Sequence, residues 1–339
     1  MADTVLDQIV AGLQNSGAEL FPNHSKLKLI RIAGHLPKPG HCTYEIILDF
    51  SDARERLSAR IYRDGKTGSP SAQDLARREL TVLHRISQAC AAHNLDGLPQ
   101  AVGDFTTLGA VVSRRIQGLS VQSIVVKAAL LPNFKSTTLV DMAAAHTGNW
   151  LRRFHNAAAS DPEPIDGKAL FREIEQFCTK GQQDGLAKDS TQSILEYAAA
   201  SLADITVVLP SSAVLNEFVP LNVMISEQGV GFSEVAGLTA RGHSLHDIAT
   251  FLAATELLEK YPFCNRRLTS RVQESFLEAY GLNPEEQQLL TVFKLRELLR
   301  MFAQGRTAKE APLRKKIMWS NVMKRCIQTA ARRSMAPAA

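Results

Sequence analysis

The sequence predicts an α+β protein in which a small strand-rich N-terminal region precedes a mainly helical remainder. Apolar and polar residues alternate over 27–33, 43–50 and 57–62, which is the period of a half-buried strand. From residue 121 onward, apolar residues recur at helical spacing instead. Strand signals in that second half are confined to 213–234, so one strand-bearing segment interrupts a helical region.

The N-terminal region is predicted to hold five strands and one inserted helix. A short amphipathic helix over 4–15 precedes the first strand, and the Gly- and Pro-rich segment 34–40 is predicted to be a turn. Helical spacing covers 72–92, and two further short strands are predicted over 101–105 and 109–113.

The second half is predicted to form seven helices, over 121–130, 138–159, 168–180, 189–203, 244–259, 267–280 and 284–303. We therefore divide the chain into an N-terminal helix (1–26), a five-stranded region with one helix (27–116), a helical region carrying the strand-bearing segment (117–305) and a basic C-terminal helix or tail (306–339).

The net charge of +5 resides in the tail. Nine basic residues and a single acidic residue lie within 306–339. The apolar residues of the tail fall mostly along one helical stripe, and a basic amphipathic helix can bind an anionic membrane surface. The alternative is a final helix that packs its stripe against the protein. Too few aromatic side chains accompany the charges to stack nucleic-acid bases, so a nucleic-acid partner is not expected.

Composition points to a cytoplasmic protein. No apolar run reaches the roughly eighteen residues that a transmembrane helix needs. The five cysteines are scattered and contain no CxxC pair, which argues against a disulfide framework or a zinc site. Peripheral attachment to a membrane through the tail is the alternative localisation.

The strand-bearing segment carries two acids and an amide at fixed spacing. Glu217 is followed five residues later by Asn222. A short apolar strand and a turn at Gly229 then lead to Glu234. In kinase-type phosphotransferases an acid, an asparagine and a second acid in this order orient the attacking hydroxyl and hold Mg²⁺.

Further fragments occur in matching order along residues 28–282. They are Lys38–Tyr44, Ala59–Tyr62, Glu79 on the following helix, Val111–Leu119, Trp150–His155 and Ser244–Ala249. With the central motif, this order resembles the aminoglycoside phosphotransferase family, which are small-molecule kinases of the protein-kinase-like fold. The resemblance implies two lobes, a small mixed β-sheet N-lobe and a mainly helical C-lobe.

The resemblance also implies roles for individual residues. It makes Glu217 the catalytic acid that orients the acceptor hydroxyl. The implied nucleotide-binding residues are Arg60, Glu79, Ser113 and Arg115, the implied Mg²⁺ ligands are Asn222 and Glu234, and the implied supports of the catalytic loop are Asp247 and His155. The implied cofactors are ATP, or another nucleotide, and Mg²⁺. The implied substrate is a small molecule with a hydroxyl group.

Several positions depart from the family pattern. Both Glu217 and Glu234 replace Asp, Arg60 replaces Lys, and Leu215-Asn216 replaces His-Gly. The longer acids keep their charge but shift each carboxylate by one methylene, and a misplacement of about 1 Å can cost about a hundredfold in rate. A planar guanidinium does not replace a compact ammonium at a tight phosphate contact.

Three interpretations therefore stay open. The first is a nucleotide-binding pseudokinase with a degenerate active site that acts through a protein partner. The second is an active ATP-dependent small-molecule kinase. The third is a scaffold that docks to a membrane or a partner through its basic C-terminal helix.

Overall fold

The computed structural model describes residues 2–38, 40–65, 68–131, 134–203, 205–261, 263–307 and 313–334. The chain forms two compact units. The first unit comprises Met1–Gln117 and Gly231–Leu238, and the second comprises Gly118–Val230 and Thr239–Ala339. The segment that carries Glu234 thus belongs to the first unit, whereas the sequence assigned it to the helical region. Phe232 anchors this segment, since its N–H donates to the Gly97 carbonyl at 2.7 Å.

The described residues of the first unit form a four-stranded sheet, three α-helices and a short 3-10 helix at Thr106–Leu108. The strands are β1 (Leu27–Lys38), β2 (His41–Phe50), β3 (Arg54–Tyr62) and β4 (Ala110–Arg114); the helices are α1 (Ala2–Asn15), α2 (Gly17–Leu20) and α3 (Ala72–Ala92). The strand order is β1-β2-β3-β4. Every pairing in this sheet is antiparallel rather than mixed.

The two faces of this sheet differ in chemistry. Burial alternates residue by residue along β2, as a strand with one face in the core requires. One face buries Ile46, Leu48 and Leu57 against Ile9 and Leu13 of α1. Because successive strand residues point to opposite faces, His41, Thr43 and their cross-strand partners lie on the other, polar face.

Two elements of this unit differ from the sequence prediction. Residues 34–38 continue β1 instead of forming a turn, and the hairpin connection is at Gly40, whose φ of +84° suits glycine. The predicted fifth strand over 101–105 is reduced to one bridge between Ala101 and Ser113. Asp104 ends it, because its carboxylate accepts hydrogen bonds from the Thr106 backbone and hydroxyl.

The second unit is mainly helical. Its helices are α4 (Val121–Leu130), α5 (Phe134–Ala157), α6 (Gly167–Gln183), α7 (Lys188–Leu202), α8 (Leu245–Glu256), α9 (Arg266–Tyr280), α10 (Pro284–Thr307) and α11 (Leu313–Ser334). The remaining strands of the chain are β5 (Leu119–Ser120), β6 (Ala159–Pro164), β7 (Val208–Val214), β8 (Val223–Ser226), β9 (Gly229–Phe232) and β10 (Thr239–His243). They form the orders β10-β7-β6 and β5-β8-β9.

Strands β6 and β10 have no counterpart among the predicted strands. β6 has the sequence Ala-Ser-Asp-Pro-Glu-Pro, whose prolines argue against an interior strand. It lies at the edge of its sheet beside β7, where proline is tolerated. Its partner comes from a distant part of the chain, so local alternation does not reveal it.

The apolar stripe of the described part of α11 faces the protein. Met323, Ile327 and Ala331 are buried, and α11 contacts α10 and α7. These three side chains therefore pack against the protein, and docking through the tail stays a prediction. The rest of the predicted 306–339 tail includes 308–312 and 335–339, which lie outside the described residues. Among the described residues, no helix has both the length and the apolarity that membrane crossing requires.

Candidate functional site

Arg60 is the centre of a charged cluster on the polar face of the first unit. It lies on β3, is buried, and its guanidinium forms ion pairs with Glu79 of α3 and with Glu234. Tyr62 donates its hydroxyl to the other oxygen of Glu79. Burial alone would lower the pKa of Arg60, but Glu79 and Glu234 outweigh it and raise that pKa. The guanidinium is therefore held charged and fixed.

Glu234 uses both carboxylate oxygens in this cluster. Oε1 accepts from Arg60 and from the Ala236 N–H at 3.1 Å, and Oε2 lies 2.6 Å from Lys38 Nζ at the end of β1. Burial would raise the pKa of Glu234, but Arg60 and Lys38 outweigh it and lower the pKa to about 2. With Glu79 included, the cluster contains two cationic and two anionic side chains, so its net charge is zero.

The same face carries polar atoms without partners. Among the described residues, four buried side-chain atoms lack a hydrogen-bond partner, and three of them are His41 Nε2, Thr43 Oγ1 and Arg60 Nε. Thr43 and Arg60 are direct cross-strand neighbours, and His41 is opposite Tyr62. Burial, followed by Arg60 and Lys38, lowers the pKa of His41 to about 4, so its imidazole is neutral near neutral pH. Native proteins rarely leave buried polar atoms unpaired, so these three groups are available to hydrogen-bond a bound molecule.

Ser113 lies in β4 and Arg115 directly follows that strand; the resemblance implies that both contact the nucleotide. Ser113 is buried and its strand partners are Ser58 and Ala101. The Arg115 N–H donates to the Arg56 carbonyl at 2.8 Å, and its guanidinium pairs with Glu45. The backbone N–H of Arg115 is thus already used, and a nucleotide role for these two residues stays a prediction.

In the second unit, Asp247 organises the loop that follows β7. It lies in the first turn of α8 and is fully buried. Its carboxylate accepts from the N–H groups of Leu215 and Asn216 at 2.8 Å each, and from His155 Nε2 at 3.2 Å. His155 is held in turn by the Tyr280 hydroxyl at 2.9 Å. The loop backbone is therefore fixed by a buried anion.

Asn216 in this loop adopts a left-handed backbone conformation. Its φ is +59°, a region in which asparagine is the most tolerant residue after glycine. Asparagine can therefore occupy this loop position without the strain that a β-branched residue would incur.

Glu217 and Asn222 are linked through the loop itself. Asn222 Nδ2 donates to the Glu217 carbonyl at 2.9 Å, and the Asn222 N–H donates to the Val219 carbonyl at 2.9 Å. The Glu217 side chain is 42% exposed, and its carboxylate lies 3.9 Å from Arg300. Glu217 is consequently accessible, whereas the Asn222 side chain is engaged in shaping the loop.

A pocket of about 330 Å³ opens beside Glu217 in this unit. Its charged lining residues are Glu217 and Arg300, and Gln122 and Gln304 add amides. Apolar side chains from the loop and from the end of α8 complete the wall. The pocket thus combines one accessible carboxylate with a largely apolar surface.

A second pocket of about 470 Å³ contains His243 and His246, which lie three residues apart in the chain. Burial, followed by Arg296, lowers the pKa of His246 to about 3, and burial also lowers the pKa of His243. His246 Nδ1 lies 3.3 Å from Arg296, a cation that would oppose a metal ion. Across the described ranges, no group of three or more potential metal-ligating side chains is present.

The residues predicted to hold Mg²⁺ do not fit that ion well. The Asn222 side chain donates to the Glu217 carbonyl at 2.9 Å and is engaged in the loop. Mg²⁺ requires oxygen ligands in near-ideal octahedral geometry, yet both oxygens of Glu234 are occupied by Arg60 and Lys38. Metal binding at Glu234 would first have to displace these cations.

Sequence reasoning missed three members of the polar face, namely Lys38, His41 and Thr43. A signal existed for His41 and Thr43, because the apolar alternation along β2 places both opposite the core face. No local signal could pair Lys38 with Glu234, since 196 positions separate them.

Comparison with solved structures identifies the fold. Glucosamine kinase in complex with glucosamine, ADP and inorganic phosphate matches with a TM-score of 0.55 and 15% identity, covering 92% of this chain and 96% of that chain. A thermostable mutant of the aminoglycoside phosphotransferase APH(4)-Ia matches with a TM-score of 0.56 and 11% identity, covering 95% and 99%. A choline/ethanolamine kinase family protein from Mesorhizobium loti matches with a TM-score of 0.55 and 14% identity, covering 98% and 96%.

These likenesses show the protein-kinase-like fold of small-molecule phosphotransferases. The fold predicted from the sequence is thereby confirmed, with an antiparallel sheet in the N-terminal region and a mainly helical C-terminal part. No protein-family model matches the chain, and no curated protein matches it. Identities this low establish the fold and leave activity to be inferred from the residues.

Proposed function

We propose that this chain is a nucleotide-binding pseudokinase that acts through a protein partner. The observation that carries the proposal is the cluster of unpartnered polar atoms at His41, Thr43 and Arg60 on one sheet face. An unpaired buried donor costs about 1–3 kcal/mol, and phosphate oxygens are acceptors that would satisfy such groups. The fixed guanidinium of Arg60 supplies the positive charge that an anionic ligand needs.

The charged groups around the motif support weak or absent phosphoryl transfer. Phosphoryl transfer depends on exact placement of the catalytic carboxylate and of the metal charge. Glu217 carries its carboxylate one methylene further out than aspartate would, and Glu234 is engaged by two cations. Asn222 donates to the loop backbone. These contacts suit a binding fold better than a turnover site.

The nucleotide is the ligand class that the fold relatives favour. Glucosamine kinase is seen with ADP, and an aminoglycoside phosphotransferase is seen with streptomycin and ATP. In this chain the corresponding anion-binding groups would be Arg60 and the donors beside it, with Ser113 and Arg115 as the predicted adenine contacts.

A thermal-shift titration with ATP tests the proposal. ATP should raise the melting temperature of the wild-type chain, and Thr43→Val should reduce that rise because it removes a hydroxyl at constant shape. Thr107→Val is the matched control, since Thr107 is exposed and outside the cluster. A melting temperature that ATP leaves unchanged, with and without Mg²⁺, refutes nucleotide binding.

An active small-molecule kinase is the second candidate, and it is favoured by the hydrogen bonds that Asp247 accepts from the loop backbone. The loop keeps its backbone hydrogen bonds, and Glu217 faces a pocket large enough for a small acceptor. If the chain is active, ATP consumption should respond to hydroxylated acceptors such as glucosamine. Glu217→Gln should then slow the reaction by about 10²- to 10⁴-fold, whereas Glu227→Gln, an exposed acid in the β8–β9 turn, should not. Turnover independent of Glu217 would remove this candidate.

A further inference from the structure

Glu234 is already neutralised by the protein's own cations. Lys38 Nζ contacts one carboxylate oxygen at 2.6 Å, and Arg60 contacts the other. The carboxylate side chain is only 12% exposed, and it also accepts the Ala236 N–H. All of these residues belong to the first unit. The position expected to bind a metal thus holds a closed ion-pair network.

The two cations differ in their freedom to move. Arg60 is fixed, because its side chain is 6% exposed and pairs with Glu79 as well. The Lys38 side chain is 32% exposed and lies at the end of β1, on a flexible four-carbon stem. Lys38 can therefore exchange one anionic partner for another while Arg60 stays in place.

Additional positive charge surrounds the same hairpin. Arg63 follows β3, and its N–H donates to the Gly40 carbonyl at 2.9 Å. Burial, followed by the charges of Arg60, Lys38 and Arg63, lowers the pKa of His41, and the Glu234 carboxylate acts in the opposite direction. An anion bound beside His41 and Thr43 would lie near the cations of Lys38, Arg60 and Arg63. It could also hydrogen-bond His41 Nε2 and Thr43 Oγ1, which have no partner among the described residues.

We propose that nucleotide binding by this chain is independent of divalent cations, with Lys38 leaving Glu234 to bind the nucleotide phosphates. The inference rests on the proposed nucleotide binding. In this arrangement Glu234 is a competitor of the phosphates for Lys38 and Arg60, which is the reverse of the role that a metal ligand would have. Removing the Glu234 charge should accordingly strengthen binding instead of abolishing it.

Isothermal titration of the full chain with ATP, once in EDTA and once in excess Mg²⁺, provides the first test. The two dissociation constants should agree within about threefold, well under the tenfold that 1.4 kcal/mol represents. Binding that appears only with Mg²⁺ would overturn this inference while leaving the proposed nucleotide binding intact. Absence of binding in both buffers would overturn both proposals.

Two variants give changes of opposite sign in EDTA. Lys38→Met should weaken ATP binding by about 10- to 100-fold, the value of a charged hydrogen bond. Lys28→Met, an exposed lysine on the same strand, is its control and should bind as wild type does. Glu234→Gln should tighten binding by about threefold or more, since it removes a competing charge at constant shape.

Glu227→Gln is the control for Glu234→Gln, and circular dichroism establishes that each variant is folded. Tighter binding by Glu234→Gln together with weaker binding by Lys38→Met supports the inference. Weaker binding by Glu234→Gln in EDTA contradicts it, because the carboxylate would then assist phosphate binding instead of competing with it. Unchanged binding by Lys38→Met contradicts it as well.

Discussion

Replacing Glu234 by glutamine should destabilise the first unit near neutral pH, and this loss should disappear in acid. The substitution keeps the shape of the side chain and removes its charge. Arg60 then retains only Glu79 as an anionic partner, and Lys38 loses its ion pair. A buried cation that loses a partner carries an uncompensated desolvation cost.

The magnitude follows from the pKa of Glu234. Burial raises this pKa, but Arg60 and Lys38 outweigh burial and lower it from 4.5 to about 2. A carboxyl whose pKa is depressed in the folded state contributes stability that is complete above the unfolded pKa. That contribution is lost as pH falls through the folded pKa. Each pKa unit corresponds to about 1.4 kcal/mol, so the contribution is about 3 kcal/mol.

Urea unfolding of wild type and Glu234→Gln, followed by circular dichroism, measures this difference. The free energies of unfolding should differ by about 3 kcal/mol near neutral pH. The difference should shrink as pH falls from 4.5 towards about 2. Glu227→Gln should track the wild type throughout. A difference that does not change with pH, or none near neutral pH, would refute the reasoning.

Three further predictions concern the second unit. In urea unfolding, Asp247→Asn should lower the free energy of unfolding of the second unit by about 2–4 kcal/mol, because an amide cannot accept from all three donors around it. Asp189→Asn, at an exposed position, is the control. Because φ at Asn216 is +59°, Asn216→Gly should leave the free energy of unfolding unchanged or raise it, whereas Asn216→Val should lower it by about 1–3 kcal/mol. Equal melting temperatures for the two variants would contradict the left-handed backbone at this position. Met323→Ala should cost about 2–5 kcal/mol of unfolding free energy in urea, and Thr329→Ala, exposed on the same helix, should cost little; a neutral Met323→Ala would show that the face is not packed.

The helices of the second unit could be predicted because their signal is local. Apolar spacing over 284–303 marks a buried stripe, and α10 spans Pro284–Thr307 around it. β6 could not be predicted in this way, because its residues acquire strand structure only by pairing with β7. The prediction of a strand over 101–105 was wrong, because the Asp104 side chain accepts hydrogen bonds from Thr106 that compete with backbone pairing between strands.

The same contrast between local and long-range signals applies to the candidate site. The order of the motif fragments indicated Arg60, Glu79 and Asp247 as candidate site residues. In the structure Arg60 pairs with Glu79, and Asp247 accepts from the loop backbone. The contact between Lys38 and Glu234 joins distant parts of the chain and depends on folding of the whole first unit. No spacing rule could therefore indicate that the second acid is already neutralised.

Hydrogen–deuterium exchange of the full chain with and without ATP tests the central claim most directly. Backbone amides protected by a ligand exchange more slowly, so the method locates the nucleotide on the chain. We predict that ATP slows exchange in peptides covering His41–Thr43 and Arg60–Tyr62, in EDTA as well as in Mg²⁺. Unchanged exchange in these peptides at saturating ATP would contradict the assignment of the polar sheet face as the nucleotide site.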